Sequence, residues 1–486
     1  MNEPSSVQSY IDQTPSWPDG TPTPTVPMTR MQWRIWLLAT AGKFFEGLVV
    51  FMTGVALPLI VKEFGLSPVE KGIVSAAPLA GIMVGAIALG GLADIYGRRR
   101  MFVVEMLVFA IFLVGLAVAP GFGWLVFFLF GMGVALGCDY PTAHLVISES
   151  IPSRDRGKLV LGAFAFQAVG ALVGTAMGYL ILANIPELGA WRLMYAVAIA
   201  PAVLIVIARL FVTDSGQWLM SRGRRAEAER ELQRLLEREP PYPKKVHLAE
   251  VDPDSALHSH DARRGRWRDL FNKKNRRATI LASVPWFLQD LGTYGIGIFT
   301  PTILSHTIGH EITNAQNVAG VIARDIAGAK GAALVDTLLI AGILAAVLLA
   351  DRVGRIRLQV LGFVGCAVGL ALALLQTHAE EPSRTLLLFG GFMIFNFMTN
   401  LGPNAQTYLL AGEVFPTNIR GKGAGFAAAF AKIGAVLTAF VFPLVLDVAG
   451  TNFLLSGLIF TSLLGALVTW WFRIETRGVN LEEIGR

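Results

Sequence analysis

Between residues 34 and 473 the chain is written as long apolar runs broken by short polar connections. The run WLVFFLFGMGVAL, Trp124 to Leu136, carries no charge, no strand-like alternation and no polar stripe of a surface helix. Runs of about twenty residues match the hydrocarbon thickness of a bilayer. Lipid offers backbone groups no partners, so only helices and closed barrels cross it, and uninterrupted apolar runs exclude the barrel. Twelve helical spans are predicted, near 34–61, 72–93, 100–120, 122–148, 159–182, 190–213, 278–304, 330–350, 357–377, 385–411, 423–447 and 452–473. A polar insert, 214–277, divides them into six-helix halves at 31–213 and 278–473. Within the insert, GRRAEAERELQRLLERE reads as an exposed amphipathic helix with opposite charges along one face. Residues 1–30, rich in Pro, Ser and Thr, read as a disordered tail without a signal pattern, and 474–486 as a second tail. The fold class is an all-α polytopic membrane protein.

Composition agrees. With 53% hydrophobic and 16% charged residues and a mean hydropathy of +0.55, the chain cannot hide its apolar surface as a soluble protein. The net charge of +6 is not a nucleic-acid signal, because the basic residues are sorted to one face. Arg98–Arg100, Arg154, Arg156, Lys158, Arg352, Arg355, Arg357, Arg420 and Lys422 share it with the basic insert, while APGFGW and NIPELGAW opposite carry no Lys or Arg. That asymmetry predicts both termini in the cytoplasm and a protein of the plasma (inner) membrane. Cys138 and Cys366 lie in apolar runs and imply no disulfide. The histidines show no metal-ligand grouping, and neither a phosphate loop nor a nucleophile–base signature is present. No enzyme activity, metal or cofactor is expected.

Two motifs occur twice in the same order. GGLADIYGR, with Gly90, Asp94, Gly97 and Arg98, returns as LLADRVGR, with Asp351 and Arg355. Glu149-Ser-Ile-Pro-Ser-Arg-Asp-Arg156-Gly returns as Glu413-Val-Phe-Pro-Thr-Asn-Ile-Arg420-Gly, both of the form E-x-x-P-x-x-x-R-G. Two repeats of one orientation predict halves that rock about a midplane site. Acid–arginine pairs in such loops can hold neighbouring helices in one conformation and release them in another. The first motif is identified as the signature loop of the major facilitator superfamily. TDSGQWLMSRGRRAEA (213–228) and ETRGVNLEEI (475–484) resemble the segments that follow the sixth and twelfth spans in sugar porters.

A charge at mid-membrane costs about 2.5–3.5 kcal/mol, so each one needs a reason. The candidates are Lys43, Glu46, Asp139, Asp290, Asp336 and Lys432. Asp139 has two readings: a proton-carrying acid beside Tyr140, Pro141 and Thr142, or a structural carboxylate paired with a nearby base or hydroxyl. Lys43 can pair with Glu46 at i+3. Trp286, Asp290 and Tyr294 share a helix face at i, i+4 and i+8, as a cavity wall. Asn396, Asn400, Asn404 and Thr407 largely share a face around Gly402-Pro403; for Asn396, Asn400 and the isolated Gln167, helix-to-helix hydrogen bonding is the competing reading.

Together GCDYPTAHLVISE (137–149), RGKLVLGAFAFQAVGALVG (156–174), WFLQDLGTY (286–294) and NLGPNAQTYLLAGEVFPTNIRGKGAGFAAAFAKIGA (400–435) resemble the phosphate:proton symporters of that superfamily. The resemblance implies anion binding by Tyr140, Gln167, Trp286, Asp290, Tyr294 and Asn404, with Lys432 supplying positive charge. It implies proton movement through Asp139, with Glu46 as a second site and Asp290 accepting from a dihydrogen phosphate. The first span departs from that pattern: GKFFEGLVVF offers only Glu46 where two acids and a tyrosine are usual, and Lys43 is extra. Leu129 stands where many relatives have arginine, and Ala135 and Cys138 replace glycines. The expected function is proton-coupled symport of inorganic phosphate by alternating access. The alternative is a proton-coupled carrier of an organic acid or a sugar, and a receptor that has lost transport is a different class. Expected partners are the substrate, protons and the bilayer, with no nucleic acid and a monomeric state.

Overall fold

The computed structural model describes residues 6–14, 28–89, 91–154, 156–237, 246–248, 266–308, 318–416 and 419–477. Gly90 and the side chains of Tyr140 and Arg156 lie outside the described residues.

The first span, Arg30–Phe64, begins at a capping box in which Thr29 and Gln32 satisfy each other's backbone N–H groups. It ends at Gly65, whose φ of 62° suits a residue without Cβ. The spans that follow are Pro68–Leu89, Arg98–Ala117, Phe122–Ser150, Arg156–Asn184 and Ala190–Arg209. The second half runs Arg276–Ile308, Val318–Val353, Arg355–Leu375, then Ser383–Leu401 continued by Pro403–Glu413. Arg420–Trp471 is a 52-residue run turned at Gly450 (φ 75°), and so supplies both the eleventh and the twelfth span. Among the described residues ten helices, this run among them, are long and apolar enough to cross a membrane. The seventh span, Arg276–Ile308, is not one of the ten; its middle carries Gln289, Asp290, Thr293 and Tyr294, yet it packs inside the bundle. The expected twelve-span, two-half fold is therefore complete.

The connections at 91–97, 151–154, 354 and 414–416 define a loop face, which also carries the insert helix. On the far face the halves meet almost backbone to backbone. A Cβ on Gly54 would stand 2.2 Å from the Ile298 carbonyl oxygen, and one on Gly72 would stand 2.5 Å from that of Phe440. On the loop face the two clamping motifs use matched glycines, Gly97 at φ 102° and Gly354 at φ 104°, where an L side chain would be strained.

The insert helix, Arg225–Leu236, keeps the expected charge pairs Arg225–Glu229 (3.1 Å) and Arg234–Glu231 (3.0 Å) on its outer side. It is docked rather than free, since Ala228, Leu232, Leu235 and Leu236 are buried against the loop-face ends of the first half. The N-terminal tail also differs from expectation. Val7–Asp12 forms a helix whose Tyr10 and Ile11 are buried in the same cluster, and the Tyr10 hydroxyl bonds the His247 backbone. Three apolar residues in six suffice for docking, a signal that the polar composition of the rest hides.

Candidate functional site

Two ammoniums, two carboxylates, a phenol and an amide converge where the halves face each other. The first span brings Lys43 and Glu46 one turn apart; the fifth brings Gln167. The seventh span brings Asp290 and Tyr294 at i and i+4, and the eleventh brings Lys432. Glu46 is the hub. Its Oε2 lies 2.6 Å from Lys43 Nζ and its Oε1 lies 3.2 Å from Lys432 Nζ. Tyr294 donates its hydroxyl to Glu46 Oε1 at 2.8 Å and accepts from Lys432 Nζ (2.5 Å) and Gln167 Nε2 (3.1 Å). That uses its one donor and both acceptor sites. Lys432 Nζ also sits 4.4 Å from the Tyr294 ring centroid and 3.6 Å from Asp290 Oδ2.

The charges balance, two against two, so the cluster is electrically closed without a ligand. Water reaches it unevenly: the lysine side chains are 13% and 12% exposed, those of Glu46 and Asp290 only 5% and 2%. Beside the cluster a narrow cleft extends toward the loop face, lined by Gly42, Lys43, Glu46, Asp139, His144 and Phe164 among others. Tyr408 of the second half closes over it, stacked on Phe164 at 4.6 Å and with its hydroxyl 3.4 Å from His144 Nδ1. The walls are mainly apolar and aromatic.

Asp139 lines this cleft but is not a free acid. Arg209, fully buried at the end of the sixth span, donates to Asp139 Oδ1 at 2.5 Å, to the Phe102 carbonyl at 2.6 Å and to the Leu38 carbonyl at 3.0 Å. Its guanidinium also lies 3.5 Å from the Phe102 ring centroid. The paired-carboxylate reading is what the geometry shows: one arginine ties the first, third, fourth and sixth spans. Sequence reasoning passes over Arg209 because it reads as flanking charge. The available signal is that RLFV continues apolar beyond it. Glu105 of the third span stands nearby, accepting from Cys138 Sγ (3.0 Å) and Thr142 Oγ1 (2.7 Å).

The other expected ligands divide. Trp286 is buried and meets the Tyr408 ring edge-on at 6.2 Å, on the cleft side of the cluster. Asn404 donates to Asn400, which donates to the Leu339 carbonyl, while Asn396 donates to Asp336. Asn396 and Asn400 thus act as hydrogen-bonding links to the eighth span. Asn404 turns to that chain, because the tenth helix breaks at Gly402 (φ −109°, ψ −98°) and restarts at Pro403.

The repeated loop motifs form one construction twice. Arg98 grips Glu149 through two bonds (3.1 and 2.9 Å) and Asp94 at 3.0 Å; Arg355 grips Glu413 (3.3 and 3.4 Å) and Asp351 at 2.7 Å. Each is capped by the segment that follows its own half. The Arg99 N–H donates to Asp214 (3.3 Å), as the Arg355 N–H does to Glu475 (3.0 Å). Arg420 donates to the Phe415 carbonyl. Gly90 and the Arg156 side chain, also expected here, lie outside the described residues.

Comparison with known proteins follows the same lines. The family described as sugar (and other) transporter matches residues 35–486. A niacin transporter of Acinetobacter baylyi is 27% identical, over 95% of this chain and 98% of that protein. A repressible high-affinity phosphate permease of Neurospora crassa is 26% identical, over 74% of this chain and 68% of that protein. The xylose transporter XylE from E. coli, in a partially occluded inward-open conformation, superposes with a TM-score of 0.74 at 20% identity, covering 93% of this chain and 100% of that one. The chain therefore belongs to the sugar (and other) transporter family, with the all-helical fold of the major facilitator superfamily.

Proposed function

We propose that this transporter is a proton-coupled symporter of a small anion, with inorganic phosphate as the first substrate. The observation that carries the proposal is the Glu46 carboxylate, which holds Lys43, Lys432 and the Tyr294 hydroxyl at once. Those are three donors that an anion needs, and an internal anion occupies them. A proton delivered to Glu46 cancels that charge and frees both ammoniums for a substrate anion; loss of the proton restores the internal bond and expels it. Proton and anion then enter the cluster together and leave together, which is symport. Asp290, beside Lys432, accepts from a substrate that still carries a hydroxyl, as dihydrogen phosphate does. Gln167 orients Tyr294. Asp139, held by Arg209, comes second to Glu46 in proton coupling.

A second substrate class, a small organic carboxylate, is favoured by the apolar and aromatic walls at Phe164 and Tyr408. Phosphate permeases and a niacin transporter among the relatives are compatible with the two classes in turn. The basic loop face is assigned to the cytoplasm and the bilayer to the plasma (inner) membrane, with a monomer importing its substrate without a nucleic-acid partner.

Uptake of labelled phosphate and of a carboxylate panel into proteoliposomes, with and without an inward proton gradient, tests this. Gradient-driven accumulation by the wild type should become gradient-independent exchange in Glu46→Gln. Accumulation by Glu46→Gln that still follows the proton gradient would remove Glu46 from the coupling.

A further inference from the structure

A further buried acid lies outside the cluster and has no role in it. Asp336, midway along the eighth span, is 2% exposed. Its Oδ1 accepts from Asn396 Nδ2 of the tenth span at 3.1 Å, and its Oδ2 lies 2.8 Å from Thr175 Oγ1 of the fifth span. Thr175 belongs to the first half and Asp336 to the second, so this is a polar bond across the seam. On the fifth helix Thr175 is eight residues beyond Gln167, about 12 Å closer to the far face. Other cross-half contacts there include the close approaches of Gly54 to Ile298 and Gly72 to Phe440.

Counting hydrogens bears on the state of this bond. Thr175 Oγ1 also lies 3.0 Å from the Ala171 carbonyl oxygen, which can only accept. A hydroxyl has one hydrogen. With Asp336 ionised, Thr175 must share that hydrogen between the two acceptors; with the carboxyl protonated and donating from Oδ2 to Thr175 Oγ1, which donates to Ala171, each contact has a hydrogen of its own. The amide of Asn396 fits the same assignment, with one hydrogen to Asp336 Oδ1 and one to the Val335 carbonyl at 3.3 Å. The elements around it agree. Thr175 and Asn396 are the groups that reach it from the fifth and tenth spans, and among the described residues no charged side chain acts on it from the first, seventh or ninth. On its own helix Lys330 is exposed and Asp325 lies eleven residues away. An ionised carboxylate without a cation partner is strongly disfavoured away from water.

We infer that Asp336 is a second proton-binding site, and that its bound proton latches the far seam of the two halves shut. Opening that seam carries Asp336 into water, where the proton leaves; closing it again requires a proton from the far side. The latch is independent of which anion the Glu46 cluster carries.

The test reads the seam itself. Spin labels at Val69→Cys and Val448→Cys, exposed far-face positions on opposite halves, report their separation in nanodiscs by electron–electron resonance. In the otherwise unaltered protein a longer-distance population should grow as pH rises. In Asp336→Asn, whose amide repeats the hydrogen pattern of the protonated acid, it should stay short at every pH. Thr175→Ser, retaining the hydroxyl, should follow the unaltered protein, and Thr175→Val should populate the longer distance even at low pH. Infrared spectra of wild type minus Asp336→Asn give the proton directly: the difference should contain a protonated-carboxyl C=O band that belongs to Asp336, apart from those of other buried acids. An Asp336→Asn seam that opens with pH as the wild type does, or a difference without a protonated-carboxyl band, would overturn the inference. Neither readout involves substrate, so failure of the anion proposal leaves this result standing, and the reverse.

Discussion

The pair of Asp139 and Arg209 sets a quantitative test of whether the fourth-span acid is structural. Asp139→Asn removes the negative charge and leaves Arg209, with a side chain 0% exposed, inside the bundle. Breaking a buried ion pair by removing one partner costs about 3–5 kcal/mol. Arg209 would keep its bonds to the Leu38 and Phe102 carbonyls and its contact with the Phe102 ring. The loss should therefore lie at the lower end, about 3 kcal/mol. Asp139→Leu combined with Arg209→Met removes both charges and fills similar volume, and such replacements are roughly neutral or better. The double variant should recover most of the stability lost by the single. Denaturant unfolding of the purified protein in micelles, run as a double-mutant cycle, measures this. A loss in Asp139→Asn under about 0.5 kcal/mol, the size of an ordinary surface substitution, would refute the structural account. So would a double variant no more stable than the single. Proton-driven accumulation by the double variant would take coupling away from Asp139.

Three further outcomes follow. Lys432→Gln should raise the substrate concentration for half-maximal uptake by roughly tenfold to a hundredfold, the worth of one charge-assisted bond, whereas Gln167→Ala, losing a neutral bond to Tyr294, should cost about fivefold; concentration-dependent uptake separates them. Gly97→Ala and Gly354→Ala force an L side chain to φ near 100° and should each lower unfolding stability by about 1–3 kcal/mol, and no change in either would contradict the matched geometry. Burial pushes the Glu229 carboxyl up, but the Leu248 N–H and Arg225 outweigh it and hold the group below its ordinary value. Its contribution to insert docking is then present above the ordinary carboxylate range and lost as pH falls through the lowered value; the protection of the Leu248 amide against hydrogen exchange, taken relative to the intrinsic rate at each pH, should fall in acid, and Glu229→Gln should abolish that dependence.

The bundle was legible because lipid leaves the chain few choices: apolar length sets the crossings and arginine sorting sets the face. The clamps were legible too, since a motif written twice at matching positions is a structural statement. Partners were harder. Lys43 with Glu46 could be read from i+3 spacing, and Asp290 with Tyr294 from i+4. The meeting of Glu46 with Lys432, 386 residues apart, depends on how the halves close. Asp139 shows the same limit, since its partner lies 70 residues on, where it resembles anchoring charge. Asn404 belonged by motif to the anion site, yet the break at Gly402 turns it toward Asn400, a local backbone choice that residue identity does not encode.

The caps over the two clamps differ in one respect. Asp214 lies between two spans and is tethered on both sides, whereas Glu475 lies in the segment that follows the twelfth span. A chain stopped at residue 474 would unfasten one clamp and spare the other. The two halves would then swing against unequal resistance, and the speed of turnover in one direction would be set by a handful of residues that never touch cargo.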